Sequence, residues 1–201
     1  MLKSTEVMRI LNRCIKNSQL FYKEEGVLYP MLIVLNKGDP INIDIKNRSI
    51  LDIKESESED DNKIDPPEYY TEDNKKINAS FVVFKRESVK DDDNLSLVAK
   101  KIATKYKPDA IGLITAVSSK ELKGDIKSID ILYTISFIKG HDVVLRSFIP
   151  FINNGELPDD KVESVVVGGE IKNIKYDITF IDTAWTPVKI YDHFLTNPYL
   201  G

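Results

Sequence analysis

One cysteine, Cys14, stands in the 201 residues. An internal disulfide framework is excluded, and so is any zinc site built from cysteine pairs. A reducing cytoplasm is the expected location. Gln19 is the sole glutamine. That shortage suits a thermophile, while the many Asn, Lys and Ile residues suit an AT-rich genome equally well. No apolar run approaches the roughly 20 residues of a membrane span. The N-terminus lacks the basic, apolar and small order of a signal peptide, so no membrane partner is expected. Glycine-rich phosphate loops are missing as well. Val167-Gly168-Gly169-Glu170 has neither the spacing nor the lysine of a P-loop and reads as a turn. There is no Gly-x-Ser-x-Gly elbow, no internal repeat and no expected cofactor.

What is present is ordinary in amount and uneven in placement. Hydrophobic residues make up 42% and charged residues 30%, enough for one domain with a real core. Asp52–Asp73 holds 10 acids and 2 lysines, a local charge of −8 that leaves the rest of the chain at +4 against a total of −4. The plain reading is a solvated loop. The sharper one is a segment that covers a basic face or mimics nucleic acid. Residues 54–76 as a whole read as an acidic, mobile loop or insertion within a single domain of residues 1–201.

The spacing predicts a first helix from Ser4 or Thr5, as cap, to about Tyr22. Its apolar side is Val7, Ile10, Leu11, Cys14, Ile15 and Phe21, and Gly26 follows its close. Cys14 then reads as a packed core thiol. Val27–Leu35 is β-rich but carries Pro30, which points to an edge strand or a bulge. Ile41, Ile43 and Ile45 alternate as a return strand, and Ser49–Ile53 adds a short one. A middle helix runs through Leu95, Val98, Ala99, Ile102, Ala103 and Tyr106 to Pro108, with Asp91–Asp93 before it and lysines in its second half. Ala110–Val117 is apolar on both faces, the mark of a central strand. A hairpin follows, with Gly140 in a type II′ turn and Phe137, Ile135 and Tyr133 opposite Val144, Arg146 and Phe148. Val162–Val167 and Ile174–Ile181 form a second hairpin, turning at either Gly168-Gly169 or Lys172-Asn173. Thr186-Pro187 opens a C-terminal helix.

The expected class is α+β. A mainly antiparallel sheet of about six to eight strands has the first two helices on one face and a C-terminal helix besides. Candidate chemistry is sparse. Ser118, Ser119 and Glu121 leave the end of the central strand, where a polar catalytic site could form. His141 and His193 with Asp182 are the available metal-ligand types. Arg146, with Lys127, Lys139, Lys172 and Lys175, could line a basic patch for nucleic acid, with Tyr133, Phe148 and Tyr176 interleaved. Tyr199 and Leu200 end the chain as either packed side chains or a docking peptide. The composition favours a non-enzymatic interaction or assembly protein with a protein partner or self-association. A small hydrolase-like enzyme and a nucleic-acid binder are the alternatives.

Overall fold

The computed structural model describes residues 1–43, 68–84, 92–118, 130–142, 144–167, 169–181, 185–188 and 195–200. Among these residues two α-helices occur, α1 (Ser4–Glu25) and α2 (Asp92–Tyr106). The strands are β1 (Met31–Lys37), β2 (Tyr69–Tyr70), β3 (Lys76–Val83), β4 (Ala110–Ser118), β5 (Asp130–Ile138), β6 (Val144–Glu156), β7 (Glu163–Val167), β8 (Glu170–Ile174), β9 (Tyr176–Phe180) and β10 (Thr186–Val188). The main sheet has the order β10-β6-β5-β4-β1-β3-β2, with β9 as an eighth strand on β6, and β7 and β8 form a separate ribbon. Every pairing among the described residues is antiparallel. Among the described residues, no helix is long and apolar enough to cross a membrane.

Strand β4 is central, as its double-sided apolar run predicts. It pairs with β1 on one side and β5 on the other. Strand β1 is also central, and this corrects the edge placement. Pro30 lies just before Met31, so its missing N–H costs no ladder bond. Both sides of β1 are taken by β3 and β4. That leaves no place for a return strand at Ile41 and Ile43, which instead pack against the core on the α2 side. Ile45 and Ser49–Ile53 lie outside the described residues.

The two helices cover opposite faces, not one. Along β1, Ile33 and Leu35 join Val7, Ile10, Leu11 and Ile15 of α1. Leu32 and Val34 join Leu95, Ala99 and Ile102 of α2. Successive strand residues point to opposite faces, so a strand apolar at every position needs a cover on each side. Close approach is built in at Gly112 of β4, where a Cβ would press on the Leu11 side chain at 3.1 Å.

Local signals set the ends of the helices. Glu6, rather than Ser4 or Thr5, satisfies the start of α1. Its carboxylate accepts from the Lys3 backbone N–H at 2.7 Å and from Glu72 N–H at 3.1 Å. Gly26 closes α1 in the left-handed region at φ 68°, its N–H donating to Tyr22 O. Helix α2 ends as expected before Pro108, with Lys107 at φ 51° donating to Ala103 O. Asp109 then ties the sheet end together, since its carboxylate accepts from Lys37 N–H and its carbonyl from Lys139 N–H.

The β5–β6 hairpin has the expected register, with Ile135 opposite Arg146 and Tyr133 opposite Phe148. Its turn differs from type II′. His141 N–H bonds Ile138 O, so Gly140 is the third residue, where φ 75° requires glycine. The second hairpin is β7 with β8, with Val167 paired to Glu170 at its closed end and Lys172 and Asn173 within the ladder, so Lys172-Asn173 is not the turn. Residues 176–180 depart from it as β9 and pair with β6, so Ile174–Ile181 is two strands broken at Lys175. The expected C-terminal helix does not begin at Thr186. Residues Thr186–Val188 are β10, paired with Arg146–Val144. An edge strand accepts proline, and the long β6 offers an outer edge that β9 fills only in part. Residues 189–194 lie outside the described residues.

Gly26 carries two constraints, its backbone conformation and the Tyr176 ring, which a Cβ would overlap. Gly38, at φ 95°, has open space around it. Gly26→Ala is expected to cost roughly 2–4 kcal/mol by denaturant melting, and Gly38→Ala only the backbone share of about 1–2 kcal/mol. Equal losses for the two variants would refute the Tyr176 contact.

Candidate binding groove

Helix α1 buries a stripe that ends near Ser18. Beyond it, Tyr22 still turns inward and meets the Phe151 ring edge-on at 5.1 Å. Phe21 points the other way and is 40% exposed, so it does not belong to the core-facing side as its spacing predicts. On β3 the residues facing α1 are Ile77, Ala79, Phe81 and Val83 by alternation. The first two join the core, while Phe81 remains 46% exposed. The helix therefore covers only part of its sheet face.

The uncovered part is a groove of about 490 Å³ between α1, the residues leading into β1, β3 and the ribbon. Phe21, Leu28, Tyr29, Met31, Phe81 and Val83 supply its apolar wall. Arg13, Asn17, Glu24, Glu170 and Lys172 supply its polar rim. The ribbon is anchored to the end of α1. Lys172 Nζ lies 3.8 Å from Glu24 and 3.1 Å from Glu170, and Lys175 N–H donates to Lys23 O at 2.9 Å. The hydrogen bond from Lys172 to Glu170 raises the ammonium pKa, with Glu24 adding to it. The outer ribbon face carries Val166 opposite Ile171, 73% and 68% exposed.

Cys14 also borders the groove and is buried. Burial pushes its thiol from an ordinary 9.0 up to about 11, against a small opposing pull from the Arg13 charge. It is a packed, neutral thiol, poorly suited to attack.

Of the candidates read from sequence that lie among the described residues, Lys172 alone lines the groove. Ser118 ends β4 opposite Asp130, and Ser119 and Glu121 lie outside the described residues. His141 sits in the β5–β6 turn, while His193 and Asp182 lie outside the described residues. Among the described residues no cluster of three or more His, Cys, Asp or Glu side chains could hold a metal ion. Arg146 lies over the Phe148 ring at 4.7 Å on the α2 side of the sheet, away from Lys172. Tyr133 is buried, and Tyr176 packs over Gly26. Lys127 lies outside the described residues. Tyr199 is packed down, its hydroxyl donating to Pro108 O at 3.1 Å, and burial raises its phenol pKa with the Asp109 charge assisting. Leu200 alone of the last pair is exposed.

The end of the acidic segment is held against the basic body. Glu68 pairs with Lys76, Glu72 with Lys3, and Asp73 with Lys37. Asp73 is lowered to about 2 by its hydrogen bond from Thr71 and then by Lys37. No sequence motif marks the groove. Its lining comes from α1, the residues leading into β1, β1 itself, β3 and the β7–β8 ribbon, and only an unusually hydrophobic outer helix position, Phe21, gives a local sign of it.

The Cys14 proton supplies a pH test. The folded state holds it more tightly than the unfolded state, so the thiol's contribution to stability is constant below about pH 9 and falls as pH rises from about 9 to about 11. Alkylation of the native thiol at pH 8 is expected to be far slower than in denaturant, accelerating only toward pH 11. Equal native and denatured rates at pH 8 would contradict the buried placement.

No protein-family model, no curated protein and no solved structure matches this chain.

Proposed function

We propose that this protein works by binding rather than by catalysis, as an assembly protein that associates with a second copy of itself through the outer face of the β7–β8 ribbon. The observation that carries this reading is the exposed cross-strand pair Val166 and Ile171. A two-stranded ribbon is marginal in water on its own, and this one is fixed to α1 by its other face. Two β-branched side chains held outward on a fixed ribbon are suited to packing against a like surface. Strand β7 adds a self-complementary edge. Its residues from Ser164 to Val167 carry no charge, so antiparallel pairing with its own copy about Val165 brings no like charges opposite. The neutral, buried Cys14 suits a reducing compartment, and the cytoplasm is the location we propose.

The test is sedimentation velocity across a concentration series, with the wild type and the double variant Val166→Lys/Ile171→Lys. The wild type is expected to shift from monomer to dimer and the variant to stay monomeric with an unchanged melting temperature. A wild type that remains monomeric throughout removes the self-association reading. Association that survives the double variant moves the interface off the ribbon.

A further inference from the structure

We infer that the groove beside α1 is a binding site for a small anionic amphiphile, a molecule with an apolar chain and a carboxylate head. The inference is independent of self-association, because Val166 and Ile171 lie on the opposite ribbon face from the groove-lining Val167, Glu170 and Lys172. Its volume of about 490 Å³ lies within the roughly 300–1,000 Å³ typical of small-molecule sites. Three aromatic rings, Phe21, Tyr29 and Phe81, wall it, each more than a third exposed. An apolar body laid between them removes that surface from water.

The charge pattern fixes the head group. Lys172 is already held by Glu24 and Glu170. Arg13 is the groove cation without a carboxylate partner among the described residues. Three turns of α1 separate Arg13 from Glu24, about 16 Å along the axis. The groove is therefore positive at its Arg13 end and negative at its ribbon end. A ligand with one anionic head and an apolar tail fits one way round, its carboxylate on the Arg13 guanidinium and its tail along Phe21 and Phe81. The neutral Cys14 thiol, next to Arg13, adds no opposing charge there.

The chain has three methionines, of which Met31 alone lines the groove, so their methyl signals locate a ligand directly. The probes are dodecanoate and dodecanol, titrated below their micelle concentrations and followed by methionine-methyl NMR. Dodecanoate is expected to shift the Met31 signal saturably while Met1 and Met8 stay still, and to bind roughly threefold to fivefold more tightly than dodecanol. Arg13→Glu is expected to abolish that preference and leave dodecanol binding in place. Phe21→Asp and Phe81→Asp, on two separate elements, are each expected to remove binding of both probes without lowering the melting temperature. The Val166→Lys/Ile171→Lys variant is expected to bind dodecanoate as the wild type does, so this site and the ribbon interface fail or hold separately. Absent binding, three methyl signals drifting together without saturation, or equal affinity for the two probes would each overturn the inference. So would a Met31 shift that follows protein concentration alone, since a second copy would then fill the groove.

Discussion

Strand β4 is buried on both faces and paired on both edges, and the architecture follows from satisfying it. Its alternate side chains, Ala110 and Ile114 on one face and Ile111 and Leu113 on the other, each need an apolar cover. One helix cannot supply both covers. Helix α1 therefore closes one face and α2 the other, and β1, which shares the same double-sided pattern, is drawn in beside β4. Gly112 lets α1 approach the sheet closely through Leu11. Among the described residues the two cores lie on opposite faces of the strands, so the sheet is a shared wall, not a lid on one pocket.

The helix that covers the first face is placed by its two ends. Glu6 locks its start to the turn after β2, and Gly26 with Tyr176 locks its end to β9. Between those points its buried stripe reaches over Ile77 and Ala79 of β3 but not over Phe81 and Val83. The groove is thus a consequence of how α1 is pinned. The sheet edges are managed differently. At one end, the two-residue β2 is flanked by ion pairs from the acidic segment. At the other, β9 and β10 divide the outer edge of β6. The −8 segment and the +4 body found in the sequence meet, at least at residues 68–73, as local pairs.

Patterns confined to one element were legible in the sequence. The α2 stripe and the double-sided β4 each depend on neighbours within a few residues, and the register that sets Tyr133 opposite Phe148 follows from two successive strands joined by a short turn. Features decided by distant partners were not. Pro30 reads as an edge signal until it is known to stand one residue outside β1. Thr186-Pro187 is equally good as a helix start and as an edge strand, and the free edge of β6 decides. The face each helix covers depends on which strands lie beneath it, which no single periodicity records. The groove was the least legible feature, because Arg13, Phe21, Tyr29 and Phe81 come together only through the pairing of β1 with β3. Ser118, His141 and Arg146, singled out by type, lie outside the groove lining.

The central claim is that β4 is the doubly covered axis of the fold, and native-state hydrogen exchange tests it most directly. Amides of Ile111–Val117 are expected to exchange only through global unfolding, with β1 and β5 close behind, while those of β2 and of the β7–β8 ribbon open by smaller, local steps. Exchange from β4 at the rate of the ribbon, or a different denaturant dependence for amides of β4 residues whose side chains face α1 and those whose side chains face α2, would contradict the account.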